Sequence, residues 1–88
     1  MITRVNEPYK ISRGEVDQQF DNRWVLLIYR DLNSADGYGY IVAYGSDEEE
    51  EQDKDCAELD SISSYEYGGK AHLIHGYKYR GREMLHVL

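Results

Sequence analysis

Metal binding is the first chemistry that the residue types suggest. His72, His75, His86 and Cys56 are the borderline and soft donors of the chain, and zinc is ordinarily held by three or four such ligands. His72 and His75 form an H-x-x-H pair inside "KAHLIHGY". That stretch reads as a strand, where side chains three apart point to opposite faces, so the pair does not converge on one ion. The expectation is a half-buried, hydrogen-bonded His75 and an exposed His72. Asp53 and Asp55 begin like a calcium loop, but the glycine and closing glutamate of that twelve-residue pattern are absent.

Nucleophilic catalysis has equally little to work with. There is no G-x-S-x-G, and the single cysteine, Cys56, stands among acids that disfavour its thiolate. Carboxylates are plentiful, yet on an exposed helix nothing separates their pKa values into an acid and a base. "GYGY" at 37–40 lacks the length and the following helix of a phosphate loop. "YKYRGR" at 77–82 interleaves tyrosines with cations and could stack on single-stranded nucleic acid. The patch is short and the molecule acidic, so it reads better as a strand end and turn, with Lys78 and Arg80 lying over tyrosine rings. The expectation is a protein that is not an enzyme, with no catalytic residue, no cofactor and no metal.

The chain of 88 residues is 41% hydrophobic and 31% charged, which suits one domain, 1–88, around a modest core. Its longest apolar run, "WVLLIY" at 24–29, falls far short of the about 20 residues of a membrane span. "MITRVNEPYK" has no apolar stretch after its charges and does not read as a signal peptide. One cysteine permits no internal disulfide, so a cytoplasmic location is expected.

The elements follow from local signals. "SRGE" at 12–15 has the form of a capping box and opens a short helix over 13–20, with Val16 and Phe20 facing inward. Residues 24–30 read as a central strand, "LNSADG" as a turn, and "YGYIVAYG" as the returning strand of a hairpin. Tyr38, Tyr40, Val42 and Tyr44 then lie along one face of that strand. "SDEE" at 46–49 is a second capping box, with Ser46 as N-cap of a helix over 46–62 whose inward stripe is Cys56, Leu59 and Ile62. "YGG" at 67–69 ends it. Residues 70–76 make a third strand, and "EMLHVL" at 83–88 a fourth. The residues before Ile11, with Pro8, read as an irregular lead. A right-handed crossover puts the third strand parallel to the second, beside the first. The fold class expected is α+β, a two-layer sandwich in the order α-β-β-α-β-β.

The arrangement "ISRGEVDQQFDNRWVLLIY", "GYIVAYG", "GGKAHLIHGY" across 11–77 resembles small bacterial, phage or mobile-element domains of unknown function. The resemblance implies a compact domain of similar layout and transfers no active-site residue. The density of acid at 47–60 departs from it.

That acid is the one strong asymmetry. "SDEEEEQDKDCAELD" at 46–60 holds nine of the 17 acidic residues and one lysine, so it carries −8 of a net −7 and leaves the remainder at +1. A few acids in the first turn are favoured by the helix dipole, and Glu50 and Lys54 are spaced to pair. Nine exceed what helix chemistry asks. As a helix, 47–60 spans roughly 21 Å, one charge per ~2.3 Å, against about 1.7 Å for duplex DNA. Asp47, Glu48, Glu49, Glu50, Glu51, Asp53, Asp55 and Glu58 are therefore the candidate surface for a basic protein, in particular a nucleic-acid-binding one. Small acidic domains that mimic DNA, anti-CRISPR proteins among them, work in this way, with direct nucleic-acid or membrane contact not expected. The alternative is an accessory domain that acts through the tyrosine face of Tyr38, Tyr40 and Tyr44, as a homodimer for example, with the acids serving solubility alone.

Overall fold

The computed structural model describes residues 1–29 and 38–78. The element order is β1 (Thr3–Ser12), α1 (Arg13–Gln19), β2 (Trp24–Ile28), β3 (Tyr38–Tyr44), α2 (Glu49–Tyr67) and β4 (Ala71–His75). The protein is thus a small α+β fold of four strands and two helices. The turn expected at 32–37, Arg80, His86 and the strand expected at 83–88 lie outside the described residues.

The four strands form one sheet in the order β1-β3-β2-β4, with every neighbouring pair antiparallel. β1 and β2 therefore run parallel with β3 between them, and β3 and β4 run parallel with β2 between them. The third expected strand lies where the crossover argument put it. The two split units run in opposite directions and step across the sheet in the same sense. Right-handed crossovers then require their helices on opposite faces. The core agrees. Val16 of α1 and Phe20, which caps its end, pack with Ile11, Val25, Leu27 and Ile41 on one face. Leu59 and Ile62 of α2 pack with Leu26, Val42, Ala43 and Ala71 on the other. The sheet thus carries α2 against one face and the short α1 against the other.

β1 is the largest departure from expectation, since residues 3–12 are a strand and not an irregular lead. It is an edge strand whose pairing with β3 shifts between Arg4 and Tyr9, and Pro8 sits in that irregular stretch, where the missing N–H costs no ladder bond. A second shift, opposite Leu26 and Leu27, leaves Val42 as an extra residue in β3. Val42 and Ala43 consequently both belong to the α2 side, while Ile41 and Tyr44 belong to the other.

Both helix starts were legible as signals, and only one is used as expected. Ser12 caps α1 in a complete capping box, its hydroxyl accepting from Glu15 N at 3.1 Å while Ser12 N donates to Glu15 Oε1 at 3.1 Å. α2 starts later, at Glu49, and its N-cap Glu48 makes no side-chain capping bond. Ser46 is instead tied by its backbone N–H to Asp55 Oδ2 at 2.9 Å. The helix ends as expected, on Gly68 in the left-handed conformation with φ 59°.

Candidate functional site

α2 positions the acidic residues, so its inward stripe decides which of them face solvent. The buried residues are Asp55, Leu59, Ile62 and Ser63, at i, i+4, i+7 and i+8. Cys56, expected on that stripe, is only half-buried. Burial pushes its thiol up, with Asp60 and Asp53 adding to the shift, so the protonated form is favoured.

Asp55 is the principal correction to the candidate surface, because it is 0% exposed and presents no charge outward. Its Oδ2 accepts from Ser46 N, and its Oδ1 lies 2.9 Å from the α-ammonium of Met1. Glu51 Oε2 receives the same ammonium at 3.0 Å. Burial pushes the Asp55 carboxyl up, yet the ammonium and the Ser46 N–H outweigh it and hold it below its ordinary value. Contact with Asp55, then with Glu51, raises the α-amino group above its ordinary 8.0. Gly45 makes this approach feasible, since a Cβ there would stand 2.8 Å from Asp55 Cβ.

Asp47, Glu48, Glu49, Glu50, Asp53 and Glu58 are exposed, and Glu51 is partly so. At 3.6 residues per turn, Glu49 and Asp53 fall on one flank of the buried stripe, Glu51 and Glu58 on the other, and Glu50 opposite it. Asp47 Oδ2 lies 4.0 Å from Arg23. Glu50 and Lys54, spaced to pair, make no ion pair among the described residues. Towards the C-terminus the outer ridge of α2 is neutral, with Ala57, Ser61 and Ser64 all exposed. The acidic surface is thus the first three turns and their flanks.

Residues other than the acids fix this end of α2 to the sheet. Gln52 Nε2 donates to Asn22 O at 2.6 Å, which turns its Oε1 towards His75 Nε2 at 3.0 Å. Because that oxygen only accepts, His75 carries its proton on Nε2. Asn22 Nδ2 donates to Asp47 O and Arg23 to Gly45 O. Asn22 adopts φ 58°, a left-handed conformation that asparagine tolerates. These contacts had no sequence signature, since each joins segments more than twenty residues apart.

The histidines sit as expected, on opposite faces of β4. His75 is half-buried with its ring 4.9 Å from Trp24, and His72 is exposed with its ring 4.9 Å from Tyr29. Among the described residues, no group of three or more His, Cys, Asp or Glu could hold a metal ion, and no helix is long and apolar enough to cross a membrane.

The tyrosines do not form one row. Tyr44 packs on Phe20, ring centroids 4.9 Å apart, on the α1 face. Tyr38 is exposed near the strand start with Lys10 Nζ 5.1 Å from its ring centroid, and Tyr40 is half-buried. The extra residue at Val42 separates Tyr44 from the other two. Compared with protein-family models, with curated proteins and with solved structures, the chain matches none.

Proposed function

We propose that the domain works without catalysis, by protein–protein contact, and that the acidic N-terminal half of α2 is the contact surface. Its partner would be a basic protein surface of the kind that holds phosphate, so that the helix acts as a DNA mimic in an anti-CRISPR-like manner. The observation that supports this reading is that Glu48, Glu49, Glu50, Asp53 and Glu58 are exposed and make no ion pair among the described residues. Carboxylates so concentrated raise the local potential and steer a cationic partner.

The structure also changes the spacing argument. From residue 49 to residue 60 the helix rises roughly 18 Å, and with Asp55 buried and Glu51 paired with Met1 five carboxylates face out, one per ~3.6 Å of axis. That is sparser than duplex DNA taken whole and close to the about 3.4 Å of axis per phosphate of one of its strands. A groove lined with Lys and Arg that tracks a single strand is the better match.

The test is capture from cell extract on the immobilised protein at about 0.05 M and about 0.5 M salt. Beside it runs a variant with Glu48, Glu49 and Glu50 changed to Gln and Asp53 to Asn, which leaves Glu51 and Asp55 intact. Captured proteins are then purified and rebound with an oligonucleotide competitor. The reading expects a basic nucleic-acid-binding protein that is released by salt, lost on the variant and displaced by DNA. Capture indifferent to salt and to the variant sinks it.

A further inference from the structure

We infer that Glu51 and Asp55 form a built recognition site for a primary ammonium, filled by the α-amino group of Met1, and that blocking this group releases the first four residues from α2. This inference is independent of the partner proposed above. Asp55 is fully buried, and a buried carboxylate is costly unless a cation offsets it. Its Oδ2 is committed to Ser46 N at 2.9 Å, which aims Oδ1 outward from the sheet end. Oδ1 takes no hydrogen bond from the rest of the fold. The cation that meets it is the Met1 ammonium at 2.9 Å, with Glu51 Oε2 completing the pair at 3.0 Å.

The neighbouring residues lay the start of the chain along the helix. Ile2 packs against the cluster of Leu59 and Ile62. Arg4 grips Glu66 with both guanidinium nitrogens, at 3.0 and 2.6 Å. The strap is thus held by an ammonium at one end of α2, a guanidinium at the other and an apolar side chain between. A formyl or acetyl group on the Met1 nitrogen removes the charge and leaves one N–H donor. Asp55 would then be a buried charge without a counterion.

The experiment compares the chain with a free Met1 amino group, verified by mass, with the same chain Nα-acetylated. First, the rate at which Met1 reacts with acetic anhydride is read by mass spectrometry of the N-terminal peptide, in wild type, Asp55→Asn and Glu51→Gln. Only the unpaired amine reacts, so labelling in wild type is expected to be slower by a factor of roughly two to five than in Asp55→Asn. Glu51→Gln, at a half-exposed position, supplies the comparison if Asp55→Asn does not fold. Second, hydrogen exchange of residues 2–4 is expected to quicken on acetylation. Equal labelling rates in wild type and the folded variants, or exchange unchanged by acetylation, overturns the inference.

Discussion

Gly45→Ala tests the close approach of α2 to the end of β3. Gly45 is buried, and its backbone is held on three sides. Its N–H donates to Trp24 O at 2.8 Å, its carbonyl accepts from Arg23 at 3.2 Å, and the next N–H donates to Asp55. An added Cβ would meet Asp55 Cβ at 2.8 Å, Oδ2 at 2.9 Å and Cγ at 3.1 Å. Among the described glycines only Gly68 and Gly69 have positive φ, so alanine at position 45 is objectionable for its volume alone. Relief must come from α2, because the nearest atom is the Cβ of a helical residue and no rotamer change moves it. Overpacking of this kind costs ~1–3 kcal/mol, partly offset by the ~0.4–1 kcal/mol that alanine gains by restricting the unfolded chain. A net loss of about 1–2 kcal/mol is expected, from a domain whose whole stability is on the order of 4–13 kcal/mol. The assay is urea unfolding followed by the fluorescence of the single tryptophan, Trp24, with the slope unchanged. Gly14→Ala is the control. Nothing but Ser12 Oγ, at 4.0 Å, stands near the new methyl, and alanine is the better helix former by up to ~1 kcal/mol. Opposite signs at the two glycines are required. A neutral or stabilising Gly45→Ala would mean that α2 does not press on the sheet at this point.

The register of α2 gives a second expectation: Leu59→Ala, at a fully buried site, should cost ~3 kcal/mol, whereas Cys56→Ala should stay within about 1 kcal/mol, both read by urea unfolding. Gly68→Ala should cost ~1 kcal/mol by the same assay, since φ is 59° and nothing lies within 4 Å of the added methyl, which leaves conformation as the whole effect. The ammonium site predicts a stability plateau with two edges. The Asp55 carboxyl is lowered from an ordinary 3.8, so its contribution is present above that value and is lost as pH falls through the folded one. The α-amino group is raised from 8.0, so its contribution is present below 8.0 and is lost as pH rises through the folded value. Asp55→Asn should flatten both edges in thermal melts across pH, with Glu51 the other charged group facing the amine; edges unchanged in that variant would refute the assignment.

What was legible in the sequence is what local chemistry decides. The Ser12–Glu15 box, the Val16 and Phe20 spacing, the apolar run of β2 and the Gly68 stop each act within a few residues, and each stands in the structure. β1 was not legible because it is an edge strand with an irregular middle. Its residues packed on the α1-side core, Val5 and Ile11, are six apart, and the polar residues and Pro8 between them erase the period of two. The start of α2 was not legible because 47–51 is a run of five acids, which supports any first turn, and the serine that should cap it serves Asp55. The tyrosine row failed at a single inserted residue, Val42, since β-branched and aromatic residues occupy both faces of β3 and hide the change of parity. Asp55 itself lies four before Leu59 and seven before Ile62, so the helical period placed it on the buried stripe. Its acidity argued it outward, and only the distant Met1 ammonium reverses that argument.

The acids of α2 therefore divide by what the fold uses them for. Asp55 and Glu51 bind the amino terminus, and Glu49 and Glu50, in the first turn, gain from the dipole. Asp53, Glu58 and Asp60 lie beyond that turn, where the dipole has fallen off. None of the three makes an ion pair among the described residues, and Asp53 stands four residues after Glu49, a like-charge spacing that costs a few tenths of a kcal/mol. Charge for solubility serves anywhere on a surface, whereas the contact proposed above makes use of their place on the helix. Gln52, Asn22 and Arg23 meanwhile pin this end of the helix to the sheet, so the surplus carboxylates stand on a fixed support. Rigid presentation is what the contact proposed above would use. It matters for a charged surface that must match another in spacing, since ordering that is already in place is not charged against binding.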